Sequence, residues 1–532
     1  MFGKKVLPLR KELLGNLVYD YLMCNEKVRG YYSFFPDKNG FENALKSIGK
    51  FSFNRDLLMS ELLQQSKLVS NTSSATTENI KKLSSGTVYT VTTGHQLCLF
   101  TGPSYFVYKI FSAINLCEKL KSEFPENDFV PVYWMASEDH DFAEVNNFSL
   151  FGKKITWESE QAGAVGEFNS TSVADCVDEF KNILGNSEYA PELISLFEQT
   201  YSKHKNMAES TRYLVNELFG KYGLVIADGN SKNLKKSFAA FFEKDIFEGF
   251  SEKPVNETIE CLKKDSYSIQ VNPRAVNCFY MDKNVRARIE AEGNNYRIVG
   301  TDKIFTPQEL KSVIQNETEK ISPNVVLRPC YQQFILPNLA YVGGPGELAY
   351  WLEYKSMMEA YGLFYPVLSP RKFITIIDKN SINKLEKLKM EKEMIFENAD
   401  ELIKIYLEKS NQSFNVQEYK KNITDLFKNL SDEVAKIDKS LVAATESEKQ
   451  RNLNSLENLE QKANRAVKAK METEVNQIRA IKLKYFPDGI PQERVENFSA
   501  YYAKWGKDFL NVLKQNLTYD LKNNTVDIIF EN

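Results

Sequence analysis

The sequence predicts an α/β chain with a Rossmann-like parallel-sheet core, connective insertions and a long α-helical coiled-coil arm. Three observations carry this prediction. The β-branched run 87–93 and the apolar run 129–134 flank a helical stretch through Tyr105, Tyr108, Phe111, Ile114 and Leu120, which together make a βαβ unit. Each strand ends in a polar motif holding a histidine, Thr93-Gly94-His95-Gln96 and Glu138-Asp139-His140-Asp141, and ligands of open α/β sheets bind at such strand ends. Residues 379–482 contain neither glycine nor proline, and Ile423, Phe427, Leu430, Val434, Ile437, Leu441 and Ala444 advance by steps of four and three.

In chain order, residues 1–85 read as an N-terminal helical segment packing on the core, with Leu13, Leu14, Leu17 and Tyr21 at helical spacing and a polar connection at 70–77. Residues 86–145 are the first half of the core. An insertion over 146–220 combines a hairpin-like piece at 148–157 with helices at 173–184 and 190–219. The second half, 221–375, places strands at 222–229, 324–329, 339–344 and 364–368, helices at 307–318 and 346–361, and a small β-rich insertion near 268–300. Residues 376–484 form the arm, read as paired long helices that make a hairpin, a dimer seam or both. Phe486-Pro487-Asp488-Gly489 ends the arm, and 485–532 return to the body.

Composition narrows the class of function. With 42% hydrophobic and 26% charged residues the chain reads as a folded globular protein, and a net charge of -3 gives no global field toward nucleic acid or an anionic membrane. The seven cysteines are scattered without a C-x-x-C pair, which argues against a disulfide framework or a zinc knuckle and for a reducing compartment. No apolar run approaches transmembrane length and the first residues lack an apolar leader, so a cytoplasmic location is expected.

Around the first histidine, Gly94, Gln96, Thr101, Gly102 and Pro103 surround a strand-to-helix turn. Such a turn either presents backbone N–H groups to an anion or is merely tight. Lys109 then reaches the same anion or is a surface charge. The second motif packs Glu138, Asp139, His140 and Asp141 together after Trp134. Three carboxylates on one turn suit a general base for an amine, an ammonium site or, least of all, a metal site; helix capping by one of them is the structural alternative. Gly343, Gly344, Gly346 and Glu347 form a loop open to a ligand or required by a turn, and Arg328 is a bidentate anion partner or a structural arginine. Ser369-Pro370-Arg371-Lys372 is read as a short basic surface loop that also stands where phosphates would be touched. Cys98 is read as inert and buried.

An ordered set of motifs resembles the bacillithiol biosynthesis cysteine-adding enzymes, the cysteine ligase BshC family. It comprises Thr93-Gly94-His95-Gln96 with Thr101-Gly102-Pro103, Val130-Pro131-Val132-Tyr133-Trp134 leading into Ser137-Glu138-Asp139-His140-Asp141, the run Ser322 to Pro329, Gly343-Gly344-Pro345-Gly346-Glu347-Leu348-Ala349-Tyr350-Trp351, and the late Pro491-Gln492-Glu493-Arg494. The resemblance implies a distant relative of class I aminoacyl-tRNA synthetases that dimerises through its coiled coil. The implied reaction joins the carboxyl of L-cysteine to the amine of glucosaminyl malate, through a carboxyl activated by ATP. By the same resemblance His95 stands where the synthetases carry the first histidine of their HIGH motif and would stabilise phosphate charge. Asp139, His140 and Asp141 would orient or deprotonate the amine. Gly94, Gln96, Thr101, Gly102, Pro103, Lys109, Trp134, Glu138, Arg328, Gly343, Gly344, Gly346 and Glu347 would bind substrate or nucleotide. No metal site is predicted from the chain itself, Mg2+ entering only with ATP. Two rivals are carried: a synthetase-like paralogue acting on tRNA, which the mixed charge of 380–480 disfavours, and a non-catalytic scaffold built on the coiled coil.

Overall fold

Val88–His95 (β1) is buried from its first residue to Thr93, as a strand covered on both faces must be. It leads through the helix Tyr105–Glu123 (α1) to Asp128–Met135 (β2), which pairs with it in parallel so that Gly94 lies opposite Trp134 and His95 opposite Met135. Val225–Asp228 (β3) adds in parallel beyond β2, after an insertion that includes the hairpin Asn147–Leu150 with Lys153–Thr156 and the helix Met207–Phe219 (α2).

The chain next builds an antiparallel sheet from Cys278–Asp282 (β4), Val285–Glu292 (β5), Asn295–Ile298 (β6), Ile304–Phe305 (β7) and Ile321–Pro323 (β8), in the order β7-β6-β5-β4-β8. The β-rich insertion therefore runs past residue 300. It then re-enters the parallel sheet on the opposite side of β1, with Asn338–Gly343 (β9) and Val367–Pro370 (β10). The final order, β10-β9-β1-β2-β3, reverses direction between β1 and β9, and that reversal opens a crevice at the carboxyl ends of the two strands.

Two expected elements are corrected. Residues 324–329 are not a strand: Asn324 Oδ1 accepts the N–H groups of Val326 and Leu327, and the helix Arg328–Ile335 (α3) begins with Pro329 in its first turn. An Asx turn and an early helical proline outweigh two β-branched valines. At the N-terminus Phe2–Pro8 is extended rather than helical, in keeping with the bias that a proline imposes on the residue before it.

The structure is a computed structural model that describes residues 2–410, 414–521 and 525–531. One compact unit comprises 4–374 with 493–527, and all the sites discussed below lie within it. The other, built on 375–492, holds Gln417–Ile437 (α5), Leu441–Lys470 (α6) and Glu472–Tyr485 (α7). Lys420 pairs with Glu457 at 2.7 Å, and the Val416 N–H donates to Glu460 and that of Phe414 to Asn464. Residue numbers of facing partners thus sum to nearly the same value, which defines an antiparallel hairpin within one chain. The heptad series from Ile423 to Ala444 does not run along one helix, because α5 ends at Ile437 and a turn intervenes before Leu441.

Candidate active site at the switch point of the parallel sheet

A cavity of ≈ 350 Å³ occupies the crevice between the ends of β1 and β9. Of the residues singled out in the sequence, Gly94, His95, Gln96, Lys109, Trp134, Asp139, Arg328, Gly344, Gly346 and Glu347 line it. Thr101, Gly102, Pro103, Glu138, His140, Asp141 and Gly343 lie outside its wall.

The turn after His95 is closed rather than open to a ligand. Phe100, Thr101 and Gly102 all have positive φ, a conformation unusual for the first two. Asn497 holds it by donating to the carbonyls of Phe100 and Gly102, and the Phe100 ring stacks on Phe197 at 4.1 Å. Gly102 is needed twice over, since a Cβ there would meet Cys98 Cβ at 2.8 Å. Past Pro103, the N–H of Ser104 at the start of α1 donates to the carbonyl of Glu496.

Below this turn, Lys109 projects from α1 into the cavity wall. It is buried, not a surface charge, and its ammonium donates to both oxygens of Glu347, at 2.9 and 2.7 Å, and to the carbonyl of Gly94. Glu347 also receives the Tyr341 hydroxyl at 2.7 Å and the Gly344 N–H at 2.9 Å. It thereby caps its own helix, Pro345–Leu352 (α4), and the glycine loop delivers an acid rather than an anion cradle. Burial raises the Glu347 carboxyl, but the Lys109 ammonium and these donors hold it below the usual carboxylate range. A Cβ on Gly94 would lie 3.1 Å from the Tyr341 hydroxyl, so the glycine makes room for that contact.

His95 is a neutral imidazole. Its Nδ1 faces the Gln96 carbonyl at 2.9 Å, and a carbonyl only accepts, so Nδ1 carries the proton and Nε2 is the acceptor facing the Tyr105 hydroxyl at 3.2 Å. Burial, reinforced by Lys109, pushes its pKa down to about 4. As it stands, the ring carries no positive charge, and its lone pair receives the Tyr105 hydroxyl. Cys98 is buried, with its thiol pushed up to about 12 by burial.

The acidic motif divides in three directions. Asp139 faces the cavity and is held bidentately by Arg328, whose Nη1 lies 3.0 Å from Oδ2 and whose Nη2 donates to Oδ1. Burial opposes ionisation of Asp139, but Arg328 outweighs it and lowers the pKa. Glu138 points inward to a buried ion pair with Lys235 at 2.6 Å. His140 turns to the far side of the loop and borders a separate cavity of ≈ 400 Å³, while Asp141 is exposed. Gly343 is packed under Leu348 and Tyr341, and its carbonyl accepts the Arg371 N–H.

Two cavity arginines stand outside the predicted set of site residues. Arg371, read in the sequence as part of a surface loop, is buried: its Nη2 pairs with Glu493 at 2.6 Å, while its Nε has no hydrogen-bond partner among the described residues. Arg494 lines the cavity and makes no hydrogen bond or ion pair among the described residues. Both belong to motifs already visible in the sequence, Ser369 to Lys372 and Pro491 to Arg494, but only folding brings those segments together. Gln332 Oε1 and Trp351 Nε1, on two further wall residues, also lack partners among the described residues. Lys109, Arg328 and Arg371 are each matched by a carboxylate, from Glu347, Asp139 and Glu493, so Arg494 supplies the net positive charge. Among the described residues no group of three or more His, Cys, Asp or Glu side chains is arranged to hold a metal ion.

Comparison with known proteins matches residues 4–372 to the N-terminal Rossmann-like domain of bacillithiol biosynthesis BshC and residues 374–526 to the C-terminal coiled-coil domain of BshC. A protein of Cytophaga hutchinsonii named "Putative cysteine ligase BshC" is 39% identical over 484 residues, 91% of this chain and 91% of that one. Its namesake from Flavobacterium johnsoniae is 38% identical over 506 residues, 94% of this chain and 95% of its own. The Bacillus cereus protein of that name is 29% identical over 533 residues, 96% and 98% of the two chains.

Proposed function

Because this chain belongs to the BshC family of bacillithiol biosynthesis proteins, we propose that it is a ligase joining the carboxyl of L-cysteine to the amine of glucosaminyl malate. The observation that carries this reading is the charge balance of the crevice. Its wall pairs three cations internally and leaves Arg494, with the free Nε–H of Arg371, for an anionic ligand. Glucosaminyl malate, with two carboxylates and one amine, is such a ligand.

Asp139 is the cavity carboxylate placed to orient an ammonium, and Arg328 keeps it ionised. Amide formation requires the attacking amine to be neutral, and the unprotonated Nε2 of His95 on the same wall would accept a hydrogen bond from it in place of the Tyr105 hydroxyl that it now receives. ATP would supply the activation of the cysteine carboxyl, and Gln332 Oε1 and Trp351 Nε1, without partners among the described residues, await one donor and one acceptor from a bound ligand.

The test is purified protein with cysteine, glucosaminyl malate and isotopically labelled ATP, read by mass spectrometry. Bacillithiol formed with AMP supports an adenylate, bacillithiol formed with ADP an acyl phosphate. If a deletion strain carrying this chain still accumulates glucosaminyl malate, the reading fails.

A further inference from the structure

We propose that Arg286, from the inserted antiparallel sheet, is the positioning residue for the Asp139–Arg328 pair, and that His140 acts as its neutral acceptor rather than as a base. This deepens the ligase reading and rests on it for the effect on turnover.

Arg286 extends from β5 with its side chain 2% exposed. Nε donates to Ser322 Oγ at 3.2 Å and Nη2 to the Pro323 carbonyl at 3.2 Å, while the guanidinium sits 4.1 Å from the centre of the Phe279 ring. That fixes the fork against the sheet. Its remaining arm, Nη1, is 2.7 Å from His140 Nδ1 and 3.8 Å from Asp139 Oδ1. Asp139 therefore lies between two arginines, Arg328 on the cavity side and Arg286 behind.

A guanidinium has donors only, so His140 Nδ1 must be unprotonated and Nε2 must carry the hydrogen. A proton on Nδ1 would bring imidazolium and guanidinium together at 2.7 Å. The charged groups facing this ring are Arg286, Asp139, Asp141 and Arg328, and burial followed by Arg286 is what lowers its pKa despite the two carboxylates. The nitrogen that a general base would use is thus committed to Arg286, on the side of the loop away from the crevice. What reaches the crevice is the orientation of Asp139: with Nη1 tethered, the guanidinium stays behind the carboxylate and Arg328 closes on it from the front.

Two measurements test this. In the full chain, 15N-histidine NMR should show His140 as the Nε2–H tautomer with a depressed pKa that rises toward 6.5 in Arg286→Met. In the ligase assay, His140→Ala should lower kcat/KM about 10-fold, whereas His140→Asn, whose carbonyl oxygen replaces Nδ1 as acceptor, should stay within about threefold of wild type. An asparagine cannot take a proton, so equal loss in both variants identifies a base and overturns the proposal. Unchanged turnover in His140→Ala, or an ordinary His140 titration unaffected by Arg286→Met, overturns it as well. Should wild type prove inactive, the ligase reading falls while the NMR titration still decides the role of Arg286; should Arg286→Met not fold, the two His140 variants decide it.

Discussion

The Lys109 ammonium lies 2.7 Å from Glu347 Oε2 and so ties the first βα unit of the core to the helix that follows β9. These two elements border the crevice from opposite directions of chain travel, and the pair spans the point where the strand order reverses. Removing one partner of such a buried pair leaves an uncompensated charge, which costs about 3–5 kcal/mol. Lys109→Met and Glu347→Gln should each lower the unfolding free energy read from urea titration by that amount. The double variant should lose less than the sum of the two. Additive losses would show that the pair is not coupled.

Arg494 makes no hydrogen bond or ion pair among the described residues, so its replacement should leave the fold intact. Arg494→Gln is expected to unfold within about 0.5 kcal/mol of wild type. Losing a charge-assisted contact of about 1.5–3 kcal/mol should raise KM for the anionic substrate roughly 10- to 150-fold, with a smaller change in kcat. An unaltered KM would place the anion elsewhere.

His95 carries a pH signature whose sign follows from its burial. In the fold it is neutral down to about 4, while in the unfolded chain it takes a proton near 6.5. Between those values the unfolded state binds more protons, so stability falls as pH drops from about 6.5 to about 4 and the contribution is complete above 6.5. His95→Gln should flatten this part of the curve. Urea midpoints at several pH values, compared between wild type and variant, check it; a constant offset across the window contradicts the assignment.

How much of this was legible in the sequence depended on the range of the interaction. Strands β1, β2 and β9 showed as short apolar runs because a strand buried on both faces needs little beyond its own residues. Asp139 and His140 are neighbours in sequence and looked like one unit, yet a loop sends successive side chains to opposite sides, and only the distant Arg328 and Arg286 reveal which faces the crevice. Arg371 looked like surface charge because its partner, Glu493, is more than a hundred residues away. Asn324 did carry a local signal, an Asx turn before Arg328-Pro329, that the β-branched Val325 and Val326 obscured.

The same limit applies to the arm, where a heptad reading cannot distinguish a hairpin from a dimer seam. The hairpin accounts for Ile423, Phe427 and Val434, which are partly covered within the chain. It leaves Tyr419, Leu426, Leu430 and Ile437 on the outside of α5, with Ile437 80% exposed and Leu426 63%. These four are spaced by seven, four and seven residues, which is a second apolar stripe on the same helix, and a stripe of that period suits another helix as its cover. We expect a second copy of the chain to cover it, giving a homodimer in solution. Leu426→Glu combined with Leu430→Glu puts like charges into that seam without touching the residues that close the hairpin, so the helix content should persist while the dimer dissociates. Light scattering coupled to size exclusion distinguishes the outcomes: a wild-type monomer at micromolar concentration, or a double variant that remains dimeric, would show that the stripe is not the seam.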